Sequence, residues 1–125
     1  MEPVSIIILN FNGKQFLKDC LASVLGQSYN NFEIILFDNN STDGSIELVR
    51  KEFNDTRLRI VKSDSNTGFA QGNNEALKHC SNDLVVLLNN DTIVNNLWLE
   101  KLVDAMSNHG TIASSFVKTK GVPEK

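Results

Sequence analysis

Four short runs dominated by Val, Ile, Leu and Phe recur along the chain, each followed by a longer segment of different periodicity. They are VSIIIL (Val4 to Leu9), FEIILF (Phe32 to Phe37), LRIV (Leu58 to Val61) and LVVLL (Leu84 to Leu88), with IASSFV (Ile112 to Val117) as a weaker fifth. Near-continuous apolar runs of this length mark strands covered on both faces, not the half-wet strands of an antiparallel sheet. Between them Phe16, Leu17, Cys20, Leu21, Val24 and Leu25 fall three and four apart, as do Ile46, Val49 and Phe53, and Leu99, Leu102, Val103 and Met106. Each set is one buried face of a helix. A further helix is predicted from about Ala70 to His79, and Ser41, Thr42 or Asp43 is expected to cap the second. Alternating strand and helix leave few folds open. The chain is predicted to form an α/β open, mostly parallel sheet with right-handed crossovers and helices on both faces, Rossmann-like in kind.

With 125 residues, 41% of them hydrophobic, the chain has material for one domain with one core. Residues 1–117 are predicted to form it, with 118–125 a polar tail. A net charge of −3, with both signs interspersed, leaves no basic face for nucleic acid and no polybasic run for an anionic membrane. No apolar stretch approaches the ~20 residues that span a bilayer. Cys20 and Cys80 lie far apart without a CxxC pairing, which argues against zinc and requires no disulfide. The N-terminal MEPVSIIILNFNG lacks the charge and hydrophobic length of a secretory signal, so a reducing cytoplasm is the expected location.

In open α/β sheets, ligands bind beyond the carboxyl ends of the strands. Here the four runs empty into NFNG, DNNSTDGS, SDSNTGFAQGNN and NNDT. One Asn-rich loop is ordinary turn chemistry, but four on one rim point to a site. The amides, hydroxyls and few carboxylates suit reading a base and ribose and holding one cation, rather than nucleophilic catalysis. Asp91, the carboxylate nearest the end of the fourth run, can ligate Mg²⁺ or Mn²⁺, hard ions that share their coordination with phosphate oxygens. The plain alternative, in which Asp91 and Thr92 merely end a strand and open a turn, stands level with it on local sequence alone.

VSIIILNFNG, LASVLGQSYNNFEIILFDNNSTDGS, NTGFAQGNNEAL and LVVLLNNDT, in that order, resemble the successive signatures of the family-two inverting glycosyltransferases, which have the GT-A fold. The wording of the third and fourth is most similar to the rhamnosyltransferase-like branch. The resemblance implies a nucleoside gripped by Leu9, Asn10, Phe11 and Asn12, then by Asp38 and Asn39, with Phe11 against the base. It extends the nucleotide site to Asn66, Gly68, Asn74 and Asn90, and makes Asp91 the metal ligand, on the family's DxD-type motif with Asn89 in place of the first acid. Gly72, Asn73 and Asn74 stand where many members carry Ala-Arg-Asn, so the usual arginine is absent. The implied reaction is transfer of a sugar from a UDP- or dTDP-sugar to a saccharide or lipid-linked acceptor hydroxyl, with inversion, in cell-wall or polysaccharide biosynthesis. The implied cofactor is Mn²⁺ or Mg²⁺. The general base is expected beyond residue 125, which makes the chain a donor-binding half, with the full-length protein working in the cytoplasm or at the inner face of the membrane.

Glu100 and Asp104 read as solvated positions on a structural helix, and His79 and His109 as surface or cap residues. Two other functions compete. A non-catalytic nucleotide-binding module would share every donor-side residue. A signalling receiver domain fits in length, alternation and Lys118, but needs acids after the first strand, where Asn10 and Asn12 stand. A dinucleotide-dependent dehydrogenase lacks its GxGxxG there.

Overall fold

A computed structural model describes residues 2–109, with side chains through Met106. The elements run β1 (Val4–Asn10), α1 (Lys14–Leu25), β2 (Phe32–Asp38), α2 (Ser45–Glu52), β3 (Leu58–Lys62), α3 (Gly68–Leu77), β4 (Leu84–Asn89) and α4 (Trp98–His109). The fifth strand expected at Ile112 to Val117, the tail from Lys118 and the side chain of His109 lie outside the described residues.

The strands form one parallel sheet in the order β3-β2-β1-β4. Parallel neighbours need a crossover, and right-handed crossovers fix the side on which each helix packs. The chain steps from β1 to β2 to β3 in one direction, then returns past β1 to lay down β4. The reversal sends α3 to the opposite face. Accordingly α1 (Leu17, Cys20, Leu21, Val24), α2 (Ile46, Val49) and α4 (Leu99, Val103) pack with Ile6, Ile8, Ile34 and Leu36. Ala76 of α3 packs with Ile7, Ile35 and Phe37 on the other side. Each large aliphatic side chain fully buried in this way contributes about 1.5–3 kcal/mol.

β1 and β2 are buried on both faces, as their composition demands. The same expectation does not hold for β3 and β4. They are the outer strands among the described residues, and Leu87 of β4 is 51% exposed. Helix starts also differ from the sequence reading. α3 begins at Gly68, two residues before the predicted Ala70, and ends at Leu77. α2 is preceded by Gly44 in the left-handed conformation (φ 83°) with no side-chain cap. Asp43, one of the three residues expected to serve this helix start, accepts from the Ser45 amide at 3.0 Å and also from the Lys14 amide at 3.0 Å, tying the starts of α1 and α2 together. Buried Gln27 performs a comparable task for α4. Its Oε1 accepts from the Leu99 amide and its Nε2 donates to the Asn95 carbonyl, supplying a partner for one of the free N–H groups at that helix start. No helix among the described residues is long and apolar enough to cross a membrane.

Register decides where the polar residues end up. Asn10 pairs with Asp38 and Asp38 with Lys62, while Leu9 pairs with Asn89. The strand ends are therefore flush and form one rim. The reversal of strand order between β1 and β4 is the switch point at which open sheets leave a crevice.

Candidate functional site

The rim has two parts of different character. Over β1 and β2 it is a closed hydrogen-bond network. Asn10 is 0% exposed, and its Nδ2 donates to Asp38 Oδ1 (2.9 Å) and Ser45 Oγ (2.9 Å), with Ser41 Oγ at 3.2 Å. Asp38, equally buried, also accepts from the Ser41 amide (2.9 Å) and hydroxyl (2.7 Å). A carboxylate taken from water needs such donors to offset its lost hydration. Burial opposes ionisation of the nearby Asp43, but bonds from Ser45 and the Lys14 amide outweigh it and hold its pKa below the ordinary value.

The next loop is fastened by Asn39, 2% exposed. Its Nδ2 donates to the Gly68 carbonyl (3.0 Å), and its Oδ1 accepts from the Thr67 hydroxyl (3.1 Å) and amide (3.3 Å). Asn66 Oδ1 accepts from the Gly68 amide at 3.0 Å. Helix α3 then lies close on the sheet at Gly72, where a Cβ would sit 2.8 Å from Leu9 Cδ1 and 3.0 Å from Asn39 Nδ2. Asn12 adopts a positive φ of 51°, which Asn tolerates better than most residues. Its Oδ1 takes the Thr42 amide at 2.8 Å, and its own amide donates to Ser41 Oγ at 2.8 Å. Beside it Phe11 stands 49% exposed.

Beyond β4 the turn Asn89 to Thr92 is fastened from beneath. Buried Thr92 donates its hydroxyl to the Asn89 carbonyl at 2.7 Å, and the thiol of Cys20 on α1 reaches the same oxygen at 3.6 Å. Asn90 Nδ2 donates to Asn10 Oδ1 at 2.8 Å. Asp91, half-buried, differs from the other rim acids. Among the described residues no hydrogen bond or ion pair reaches its carboxylate. It lines a cleft of about 240 Å³ with Leu9, Phe69, Asn73, Leu87, Leu88, Asn89 and Asn90. No cluster of three or more His, Cys, Asp or Glu side chains suited to a metal exists among the described residues. A lone carboxylate flanked by amides fits a hard cation that draws the rest of its coordination from phosphate oxygens and water.

Of the residues expected at the site, Leu9, Asn90 and Asp91 share the cleft. Asn10, Asp38 and Asn39 lie at the same rim but are buried, Asn10 and Asp38 bonded to each other and Asn39 to Gly68 and Thr67. Phe11, Asn12, Asn66 and Gly68 sit on the loops around it, exposed to solvent. Asn74 is exposed and does not line the cleft, whereas its neighbour Asn73 does, donating to the Phe69 carbonyl at 3.0 Å. Phe69 and Asn73 are additions to the expected site residues, both on a helix that starts at Gly68. Their four-residue spacing places them on one face. Glu100 and Asp104 are exposed on α4, as expected.

The model of the family described as glycosyl transferase family 2 matches residues 5–124. An uncharacterized glycosyltransferase of Haemophilus influenzae is 35% identical over 111 residues, covering 87% of this chain and 44% of its own. The Escherichia coli enzyme named UDP-Glc:alpha-D-GlcNAc-diphosphoundecaprenol beta-1,3-glucosyltransferase WfgD is 33% identical over 90 residues, covering 72% of this chain and 35% of its own. Among solved structures, the mannosyltransferase PcManGT of Pyrobaculum calidifontis, in complex with GDP-Man and Mn²⁺, superimposes with a TM-score of 0.80. It shares 25% identity over 86% of this chain and 33% of its own. The chain thus spans less than half the length of these relatives.

Proposed function

The chain belongs to glycosyl transferase family 2, and from that we propose that residues 1–117 form the donor-binding half of an enzyme that moves a sugar from a nucleotide diphosphate to an acceptor hydroxyl, with inversion. The observation that carries the reading is the carboxylate of Asp91, unengaged among the described residues, in a cleft at the sheet's switch point. The names of relatives support the donor class, since one acts with UDP-Glc and another is held with GDP-Man and Mn²⁺. We assign a UDP- or dTDP-sugar as donor, a saccharide or lipid-linked acceptor as in the Escherichia coli relative's name, and a role in cell-wall or polysaccharide biosynthesis at the cytoplasmic side of the membrane. The wording of NTGFAQGNN and LLNNDT favours the rhamnosyltransferase-like branch.

In this reading exposed Phe11 stacks on the base, and Asn12, Asn66 and Gly68 border the nucleoside. Asn10, Asp38 and Asn39 act by holding those loops rather than by touching the ligand, and Asn73, rather than Asn74, faces the donor. Asp91 holds Mn²⁺ or Mg²⁺ together with the diphosphate, with Asn89 and Asn90 beside it. A bound cation would neutralise charge on the departing diphosphate. The amides contribute hydrogen bonds without the repulsion that further acids would bring. Inversion requires a base to take the acceptor's proton. Glu100 and Asp104 stand exposed on a helix packed by its other face, so we assign that base to residues outside 2–109.

Calorimetric titration with UDP and dTDP, with and without Mn²⁺, tests the reading on the wild type and Asp91→Asn. Expected is Mn²⁺-dependent binding that falls at least about tenfold in the variant. Binding indifferent to both metal and Asp91 would overturn it.

A further inference from the structure

The buried amide of Asn10 is oriented from both ends. Its Nδ2 faces Asp38 Oδ1 and Ser45 Oγ, each at 2.9 Å, which turns Oδ1 toward β4, where it accepts from Asn90 Nδ2 at 2.8 Å. An amide is suited to this because it donates on one side and accepts on the other. A carboxylate in its place would face that of Asp38. Gly13 closes the third side. A Cβ there would lie 2.3 Å from Asn90 Nδ2 and 2.5 Å from Asn10 Oδ1. The backbone of Gly13, at φ −99° and ψ 30°, is open to any residue, so the glycine supplies room rather than conformational freedom.

Thr92 and Cys20 give the Asn89 to Thr92 turn its shape and seat it on α1. Neither fixes its position relative to the loops after β1 and β2. The Asn90–Asn10 bond does, one residue from Asp91, and Asn10 passes the constraint to Asp38 and Ser41. We propose that the Asn10–Asn90 pair, seated on Gly13, is a positioning device that joins the nucleoside-side loops to the Asp91 turn, so that nucleotide and divalent cation bind as linked events. The proposal rests on the reading of Asp91 as the cation's ligand. Linkage is reciprocal: the factor by which Mn²⁺ tightens the nucleotide equals the factor by which the nucleotide tightens Mn²⁺.

Gly13→Ala wedges the pair apart without removing any side chain assigned to ligand. UDP and dTDP are titrated with and without Mn²⁺, and Mn²⁺ alone, into wild type and variant. For whichever nucleotide binds, the metal-free affinity is expected to stay within about twofold, while the Mn²⁺ tightening factor falls about tenfold. A merely structural role would weaken both arms alike. Asn10→Ala, which introduces no clash and removes a buried side chain that touches no ligand, is expected to lose the same factor and decides the matter if Gly13→Ala does not fold by circular dichroism. An unchanged factor in a folded variant, or equal losses in both arms, overturns the proposal alone. A wild type whose nucleotide binding ignores Mn²⁺ overturns the Asp91 reading and the positioning device together, and does so before any variant is made.

Discussion

The rim over β1 and β2 and the rim beyond β4 are built from the same few residue types and serve different ends. In the first, Asp38 accepts from Asn10 and twice from Ser41, and Asn39 holds Thr67 and Gly68; both are buried. In the second, Asp91 lines a cleft and accepts from none of the described residues. A carboxylate whose lone pairs are filled by the protein stabilises loops, and one left open has acceptors for a ligand. Composition alone does not separate the two, since both stretches read as Asn, Asp, Ser and Thr at a strand end. Partner geometry does: Asn10, Asp38 and Asn39 are engaged within the protein, while Asp91 is open among the described residues.

The comparison breaks most directly at Asp38. Asp38→Ala takes the acceptor from the Ser41 amide and hydroxyl and one acceptor from the buried Asn10 Nδ2, and is expected to cost about 3 kcal/mol in urea unfolding. A loss near zero would mean that the network is not structural. Asn39→Ala follows at about 1–2 kcal/mol, since it frees one loop rather than two strand ends. Its distinctive sign is faster hydrogen exchange at Thr67 and Gly68 with little change in the β1 and β2 cores.

How much of this was legible in sequence depends on the range over which each interaction acts. The strands and the facial distribution of the helices follow from local periodicity, because Ile6, Ile8, Ile34 and Leu36 must be covered whatever covers them. The second bond of Asp43, from the Lys14 amide, was not legible, since it spans 29 residues of the chain. Nor was the division between Asp38 and Asp91, because Asn10 meets Asp38 across 28 residues and Asn90 across 80. Asn73 and Phe69 were within reach, since their four-residue spacing puts them on one helix face.

A smaller effect comes from acid. At the opposite end of the sheet Asp55 is another carboxylate saturated by its own surroundings. Hydrogen bonds from the Arg57 side chain and amide hold its pKa at about 2, against an ordinary 3.8. A folded-state pKa below the unfolded one gives stability that is complete above the unfolded value and lost as pH falls through the folded one. Unfolding free energy is therefore expected to decline between about pH 4 and pH 2. Asp55→Asn should flatten part of that slope, and an identical slope in the variant would show that Asp55 does not contribute.

The smallest change in stability is expected at Asp91, and its smallness is the sharpest test of the division between the two rims. Since no described residue donates to this carboxylate, Asp91→Asn removes no bond that holds the fold, and ligand-free stability should stay within about 0.5 kcal/mol of wild type. The two proteins should separate once ligand is present. A ligand that binds only the native state raises the melting temperature in proportion to its saturation, so Mn²⁺ with UDP or dTDP should raise the Tm of wild type and leave Asp91→Asn nearly where it was. Were the ligand-free variant destabilised as strongly as Asp38→Ala, Asp91 would belong with the saturated acids, and the open rim would be a strand end like any other.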